Sequence, residues 1–397
     1  MVSYQLCLRK VPDELILILE MLSCKKSENL NKNNQDFFKN VNWNEFVEMS
    51  IHHRLFPSLF LKIKEEKWGF IPQQTMALLS QYVKINTMNM LSLSGEMGKL
   101  GTLFNQHNIP ALFLKGPILG AELYGSLSLR TSSDIDVLVS IKDLNKVEQM
   151  MKVKGYIKDD YFSSVLNDWK WRHHHVTFNH PETKMKVEIH WRLNPGPAKQ
   201  PAFKELWERR RVSTFSQSPI FYLSKEDLFF FLVTHGARHG WSRIRWVMDI
   251  HQLVQQDLDW NKVMKVLRSY GYLDIGGQAL ILTNRLFKTP ISSDMEPLFQ
   301  RKRANQLAHK AIFYLEEMIN LHTEPVPIHV SKYHQRHLFD LMSAKQKCLF
   351  ALSLLHPYPV DSETMPLPKN LHFLYVPLRP FLWTWRKSKA IYNNWGT

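Results

Sequence analysis

Three carboxylates and a glycine turn have the residue types and spacing to do chemistry in this chain. Asp134 and Asp136 stand two residues apart in Asp134-Ile135-Asp136-Val137-Leu138-Val139, where the apolar residues predict a strand. Side chains alternate along a strand, so Asp134 and Asp136 project from one face while Ile135 and Val137 pack beneath the other. Upstream, the apolar run Ala111 to Leu114 ends in Lys115-Gly116. Downstream, Val187-Glu188-Ile189-His190-Trp191 predicts a second alternating strand, with Glu188 turned away from Val187 and Ile189. Hard divalent cations such as Mg²⁺ or Mn²⁺ take oxygen ligands, and the bare backbone of a glycine lets phosphates approach. The set therefore predicts a cation site carrying a polyphosphate. A lone Asp-x-Asp is common in loops; the argument rests on strand, glycine turn, helix, Arg130, Asp-x-Asp and later Glu following in that order. Lys115 reads either as a strand-end lysine with a snorkelling stem or as a phosphate contact.

These residues resemble the nucleotidyltransferase superfamily of DNA polymerase β. The nearest resemblance is to the uncharacterised bacterial nucleotidyltransferase-like family, whose LKG, Arg, DIDxLV and EIHW pattern matches Leu114-Lys115-Gly116, Arg130, Asp134 to Val139 and Glu188 to Trp191. The first part is also similar to the KGG…RxSxDID pattern of AbiEii-type toxin nucleotidyltransferases. The resemblance implies a palm-like mixed α/β (α+β) domain and transfer of a nucleoside monophosphate from an NTP with release of pyrophosphate. It implies two Mg²⁺ (or Mn²⁺) ions on Asp134, Asp136 and Glu188, and nucleotide contacts from Lys115, Gly116, Arg130 and Ser132. Arg130 carries the planar fork that suits phosphate. One departure is that the usual glycine-serine or glycine-glycine pair reads Gly116-Pro117, and Pro117 offers no N–H to a phosphate.

The elements that must position these residues are legible in outline. Residues 1–108 read as helical: Asn44 is placed as an N-cap, and Gln73 to about Gln106 predicts one long helix or a broken pair. Residues 109–215 form the expected catalytic sheet. Pro117 and Gly125 bracket a short helix, and Asp143 and Gly155 bracket a second. His173–His180 and Met185–Leu193 flank Pro181-Glu182-Thr183-Lys184 as a β-hairpin. Residues 216–300 turn helical again, with Ser224-x-x-Asp227 at capping-box spacing. Residues 301–397 form a basic, mainly helical region, with 13 Lys and Arg against 6 Asp and Glu.

With 397 residues, 44% of them hydrophobic, the chain can bury more than one domain's core. A formal net charge of +15 favours an anionic partner: nucleotide, nucleic acid or membrane surface. Cys7, Cys24 and Cys348 lack CxxC or zinc spacing and read as reduced thiols of a cytoplasmic protein. No uncharged apolar stretch reaches the length of a membrane span.

The remaining clusters divide. His173-His174-His175 reads as strand polar residues beside a hairpin, because alternation opposes His174 to the other two. His190 shares a face with Glu188, to orient that carboxylate or touch nucleotide. His235 and His239 sit at i,i+4 without the Glu of HExxH, which argues against zinc. Arg245 and Asp249 are also i,i+4 and pair on a helix surface; alternatively Asp249 or His239 deprotonates an acceptor hydroxyl across the cleft, as two-domain nucleotidyltransferases imply. The aromatic, basic stretch Leu371 to Trp395, with Arg379, Arg386, Lys387 and Lys389, reads as a helix packed on the core with its charges solvated, or as one resting on an anionic membrane. The leading expectation is a nucleotidyltransferase whose acceptor is a small molecule or peptide, with an RNA end as a further candidate. The rivals are a catalytically silent nucleotide- or RNA-binding member and a membrane-associated accessory protein.

Overall fold

A computed structural model describes residues 6–24, 40–159, 163–213, 218–321 and 325–395, with backbone alone from 389 onward, which leaves the Lys389 side chain outside the described residues. At its centre, Ala111–Phe113 (β1) and Ile135–Val139 (β2) are buried along their whole length. Continuous apolar strands of this kind are stable only between two covering layers. The other strands are Ile157–Lys158 (β3), His175–Asn179 (β4), Lys186–His190 (β5), Arg211–Ser213 (β6) and Ile220–Tyr222 (β7). They form one seven-stranded mixed sheet in the order β3-β4-β5-β2-β1-β7-β6. The β1–β2 and β4–β5 pairs are antiparallel, whereas β2–β5 and β1–β7 are parallel. β7 extends the sheet beyond position 215, into a stretch whose composition reads as helical.

Helices flank this mixed α/β sheet. The segment Gln73–Gln106 is one unbroken helix of 34 residues, as its proline-free pattern allows. The helix Pro117–Tyr124 starts at Pro117 and ends on left-handed Gly125 at φ 70°. The predicted cap at Asn44 lies two residues earlier: the Asn42 side chain accepts from the N–H groups of Asn44 and Glu45 and caps helix Trp43–His52. Asp143 precedes helix Leu144–Val153 but makes no side-chain cap bond. Ser224 caps helix Lys225–Arg238 by accepting from the Asp227 N–H, as its spacing predicts. One apolar cluster runs from Leu6 to Leu341 and joins sheet and helices.

The C-terminal helix Tyr375–Trp395 stands on a smaller cluster of Val165, Tyr375 and Leu382. Arg379 and Arg386 are not solvated; both pair with the buried carboxylate of Asp361. Phe381, Trp383 and Trp385 are exposed. No helix among the described residues is long and apolar enough to cross a membrane.

Candidate functional site

The parallel register of β2 and β5 sets Asp136 directly opposite Glu188. Asp134 precedes β2, two residues before Asp136 and on its face. Asp136 lies at the floor, fully buried, and one of its oxygens, Oδ1, accepts from Lys115 Nζ and from His190 Nε2, each at 3.1 Å. Its second oxygen, Oδ2, is buried without a hydrogen-bond partner. A desolvated carboxylate oxygen left bare is costly, and a cation would satisfy it. Glu188 is partly exposed, with Lys186 Nζ at 2.7 Å and His190 Nε2 at 3.5 Å. Ser132 Oγ donates to the Asp134 carbonyl at 3.1 Å and to its carboxylate at 3.3 Å. Ser132 therefore orients a candidate ligand of the cation as well as lining the cleft.

Above this floor opens a cleft of about 460 Å³, lined by Asp134 and Glu188 and by several cations. Arg54, Arg243 and Arg245 join Lys115, Lys186 and Arg238 in its wall. The Asp134 charge acts on Arg54, against repulsion from Arg243, and the Glu188 charge acts on Arg238. Burial lowers Arg54 to about 10 and Arg245 to about 9, with like-charged neighbours adding to the effect. A cleft whose cations repel one another in this way is matched to a polyanion.

The acidic groups divide in their proton affinity. Burial pushes Asp136 up, but the Lys115 ammonium and the His190 hydrogen bond outweigh it and hold the carboxyl below its usual range. Glu188 is likewise held low, burial being overcome by His190, His175 and Lys115. Asp134 goes the other way: burial and then the Asp136 charge raise it. His190, desolvated but bonded to Asp136 and Glu188, is raised. Its Nε2 lies 3.1 Å from the Asp136 carboxylate and 3.5 Å from that of Glu188, a position from which it can orient both.

Two expected roles are corrected. Arg130 borders the cleft, yet its fork is closed on a carboxylate instead of being presented to phosphate: Nε and Nη2 each donate to Asp249 at 3.0 Å. Asp249 is fully buried, also accepts from Tyr124 Oη at 2.7 Å, and does not line the cleft. An acceptor base needs reach to its substrate, and Asp249 is instead engaged as the counter-ion of Arg130. The surface pair Arg245–Asp249 does not form either. Arg245 is buried and donates to the Thr131 carbonyl at 2.7 Å. Gly116 does adopt the left-handed backbone, φ 78°, that its turn requires, and its carbonyl faces Arg130 Nη1 at 3.5 Å.

The structure also gathers residues that alternation separated. β4 begins at His175, so His174 lies before the strand and escapes its two-fold alternation. His174 and His175 stand 3.2 Å apart through Nε2 and Nδ1, and both line the cleft. With His190 they form one group of nitrogens within 4.8 Å; Asp136, Glu188 and His190 form another of the same compass. His235 and His239 face the cleft against Trp246, their rings 5.7 and 5.1 Å from it, whereas Trp241 fills the core. Arg54, from the N-terminal helices, carried no sequence signal. It became a site residue only through packing.

Residues 39–288 match the family model described as uncharacterised nucleotidyltransferase, more than half of the chain. The chain belongs to that family. It is also similar to a crystal structure of an antigenic nucleotidyltransferase-like protein from Paracoccidioides brasiliensis, at 12% identity and TM-score 0.33, over 54% of this chain and 99% of that one. No curated protein matches the chain.

Proposed function

We propose that this member of the uncharacterised nucleotidyltransferase family transfers a nucleoside monophosphate from an NTP to a small-molecule or peptide acceptor, with release of pyrophosphate. The observation that carries the reading is the bare, buried Asp136 Oδ2 between Asp134 and Glu188, under a cleft walled by arginines. Oxygen donors of this kind suit Mg²⁺ or Mn²⁺. When bound, two such ions would neutralise the triphosphate and lower the pKa of an attacking hydroxyl.

The protein's own residues supply the rest. Asp134, Asp136 and Glu188 would hold these ions, with Asp134 toward the triphosphate and Glu188 toward the acceptor. Lys115 and His190 hold the Asp136 carboxylate in one orientation and keep it ionised. Arg54, Arg243 and Arg245 bind the triphosphate at the Asp134 end, taking the part first assigned to Arg130. Arg130, with Asp249, braces the Gly116 turn from behind. His239 is the remaining candidate in the helical segment to accept a proton from the acceptor. Three cysteines without disulfides agree with a cytoplasmic setting.

The test is incubation of the protein with each α-labelled NTP and Mg²⁺ or Mn²⁺, followed by a search for self-labelling or labelled metabolites from a cell extract. Asp136→Asn should abolish labelling while its circular dichroism stays that of the wild type. Failure of every NTP to bind in either metal would overturn the reading.

A further inference from the structure

Next to the cleft lies a second cavity, of about 220 Å³, whose walls are mainly apolar: Pro195, Pro197, Ile275, Leu338, Leu341 and Phe350. Among the described residues, Arg238 is the one charged group in its lining, and it also lines the cleft. Arg238 Nε is buried and has no hydrogen-bond partner; Nη2 reaches only His235 Nδ1, at 3.4 Å. A desolvated guanidinium N–H without an acceptor is costly to leave unmade, and it awaits an anion. The phenol of Tyr272 lines the same cavity, within the electrostatic reach of Arg238.

The wall is built rather than loose. Gly196 donates to the Trp171 carbonyl at 2.7 Å, and a Cβ there would sit 2.0 Å from that oxygen. Asn194 Nδ2 donates to Thr234 Oγ1 at 3.0 Å, which ties the same loop to helix Lys225–Arg238. The cavity meets the cleft at Arg238, which lines both, whereas Arg54 and Arg243 line the cleft alone. If the triphosphate lies on Arg54 and Arg243, this is the acceptor's side.

We propose that the acceptor is a small molecule with an aromatic or branched aliphatic body and a carboxylate, its body seated in this cavity and its carboxylate on Arg238. This rests on the nucleotidyltransferase reading for the word acceptor, but not for the binding itself. An engineered cavity of about 150 Å³ holds a benzene ring, so the present one takes a ring with a short chain. Arg238 stands between the cavity and the cleft and lines both, which makes an anionic terminus the matching group, and a planar guanidinium fits a carboxylate best.

4-Phenylbutyrate is the probe, with 4-phenylbutan-1-ol as its uncharged counterpart, both followed by saturation-transfer NMR on the full chain. Binding of NTP with Mg²⁺ is measured alongside by calorimetry. The expected result is saturable phenylbutyrate binding at least about tenfold tighter than the alcohol's. Arg238→Gln should abolish that preference. Leu338→Trp, which fills the cavity from a half-buried position, should remove binding of both probes and leave NTP affinity unchanged, while Leu338→Met keeps both. Equal affinity for acid and alcohol, or binding that survives Leu338→Trp, would overturn the proposal. Probe binding without any NTP binding would instead overturn the nucleotidyltransferase reading and leave this site standing.

Discussion

In the metal-free protein, Asp136→Asn and Asp134→Asn should move stability in different directions, although the residues are two apart on one face. Asp136 is fully buried and accepts from Lys115 Nζ and His190 Nε2 at 3.1 Å, side chains only 12% and 4% exposed. An amide in its place leaves two desolvated cations facing no charge. Removing one partner of a buried ion pair costs about 3–5 kcal/mol. Glu188 stays within 3.5 Å of His190 and recovers part of the loss, which places the effect near the lower figure, about 3 kcal/mol. For a chain of this size that corresponds to a Tm lower by about 4 °C. Asp134 carries the opposite sign, because burial and the Asp136 charge already disfavour its ionised form. Its neutralisation should change stability by between zero and about +1 kcal/mol, because the side chain keeps some contact with solvent. Calorimetric melting of both variants in EDTA at neutral pH is the assay, with NTP·Mg²⁺ titration expected to fail for both. Equal melting shifts, or an unchanged Asp136→Asn, would refute the electrostatic account of the floor.

Asp249→Asn should behave as a stability variant: it strips the counter-ion from Arg130 and should cost about 3–5 kcal/mol in denaturant unfolding, while the hydrophobic pair Arg130→Met with Asp249→Leu recovers much of it. Loss of turnover at wild-type stability would restore Asp249 as a base. His190 has a raised pKa, so its contribution to metal-free stability is full below the ordinary histidine value and is lost as pH rises through the higher folded value. Melting against pH should show that fall above about pH 6.5, and His190→Gln should flatten it. Arg54→Ala with Arg243→Ala should weaken NTP·Mg²⁺ binding by at least about tenfold, each lost charged hydrogen bond being about 1.5–3 kcal/mol; unchanged affinity would move the triphosphate elsewhere. Glu188→Gln should reduce turnover far more than NTP affinity, as separate kinetics and calorimetry would show.

The sequence by itself determined the elements that carry the carboxylates. Alternation around Asp136 and Glu188, the proline and glycine around 117–125, and the long run to Gln106 are local signals, set by side-chain period and backbone freedom. They suffice to place Asp136 and Glu188 on strands, Asp134 at a strand's start and Lys115 beside a turn. What they cannot carry is which residues meet across the fold. Arg130 and Asp249 are 119 positions apart, and their closed fork takes both from the roles their types suggest. His174 reaches the cleft because β4 starts two residues later than alternation over 173–180 would have it. Arg54 enters from the N-terminal helices with no pattern around it. Local periodicity fixes the direction of a side chain within its element, whereas its partner is fixed by tertiary packing. That packing brought the neighbours that hold Asp136 and Glu188 ionised against burial, and it closed the Arg130 fork on Asp249.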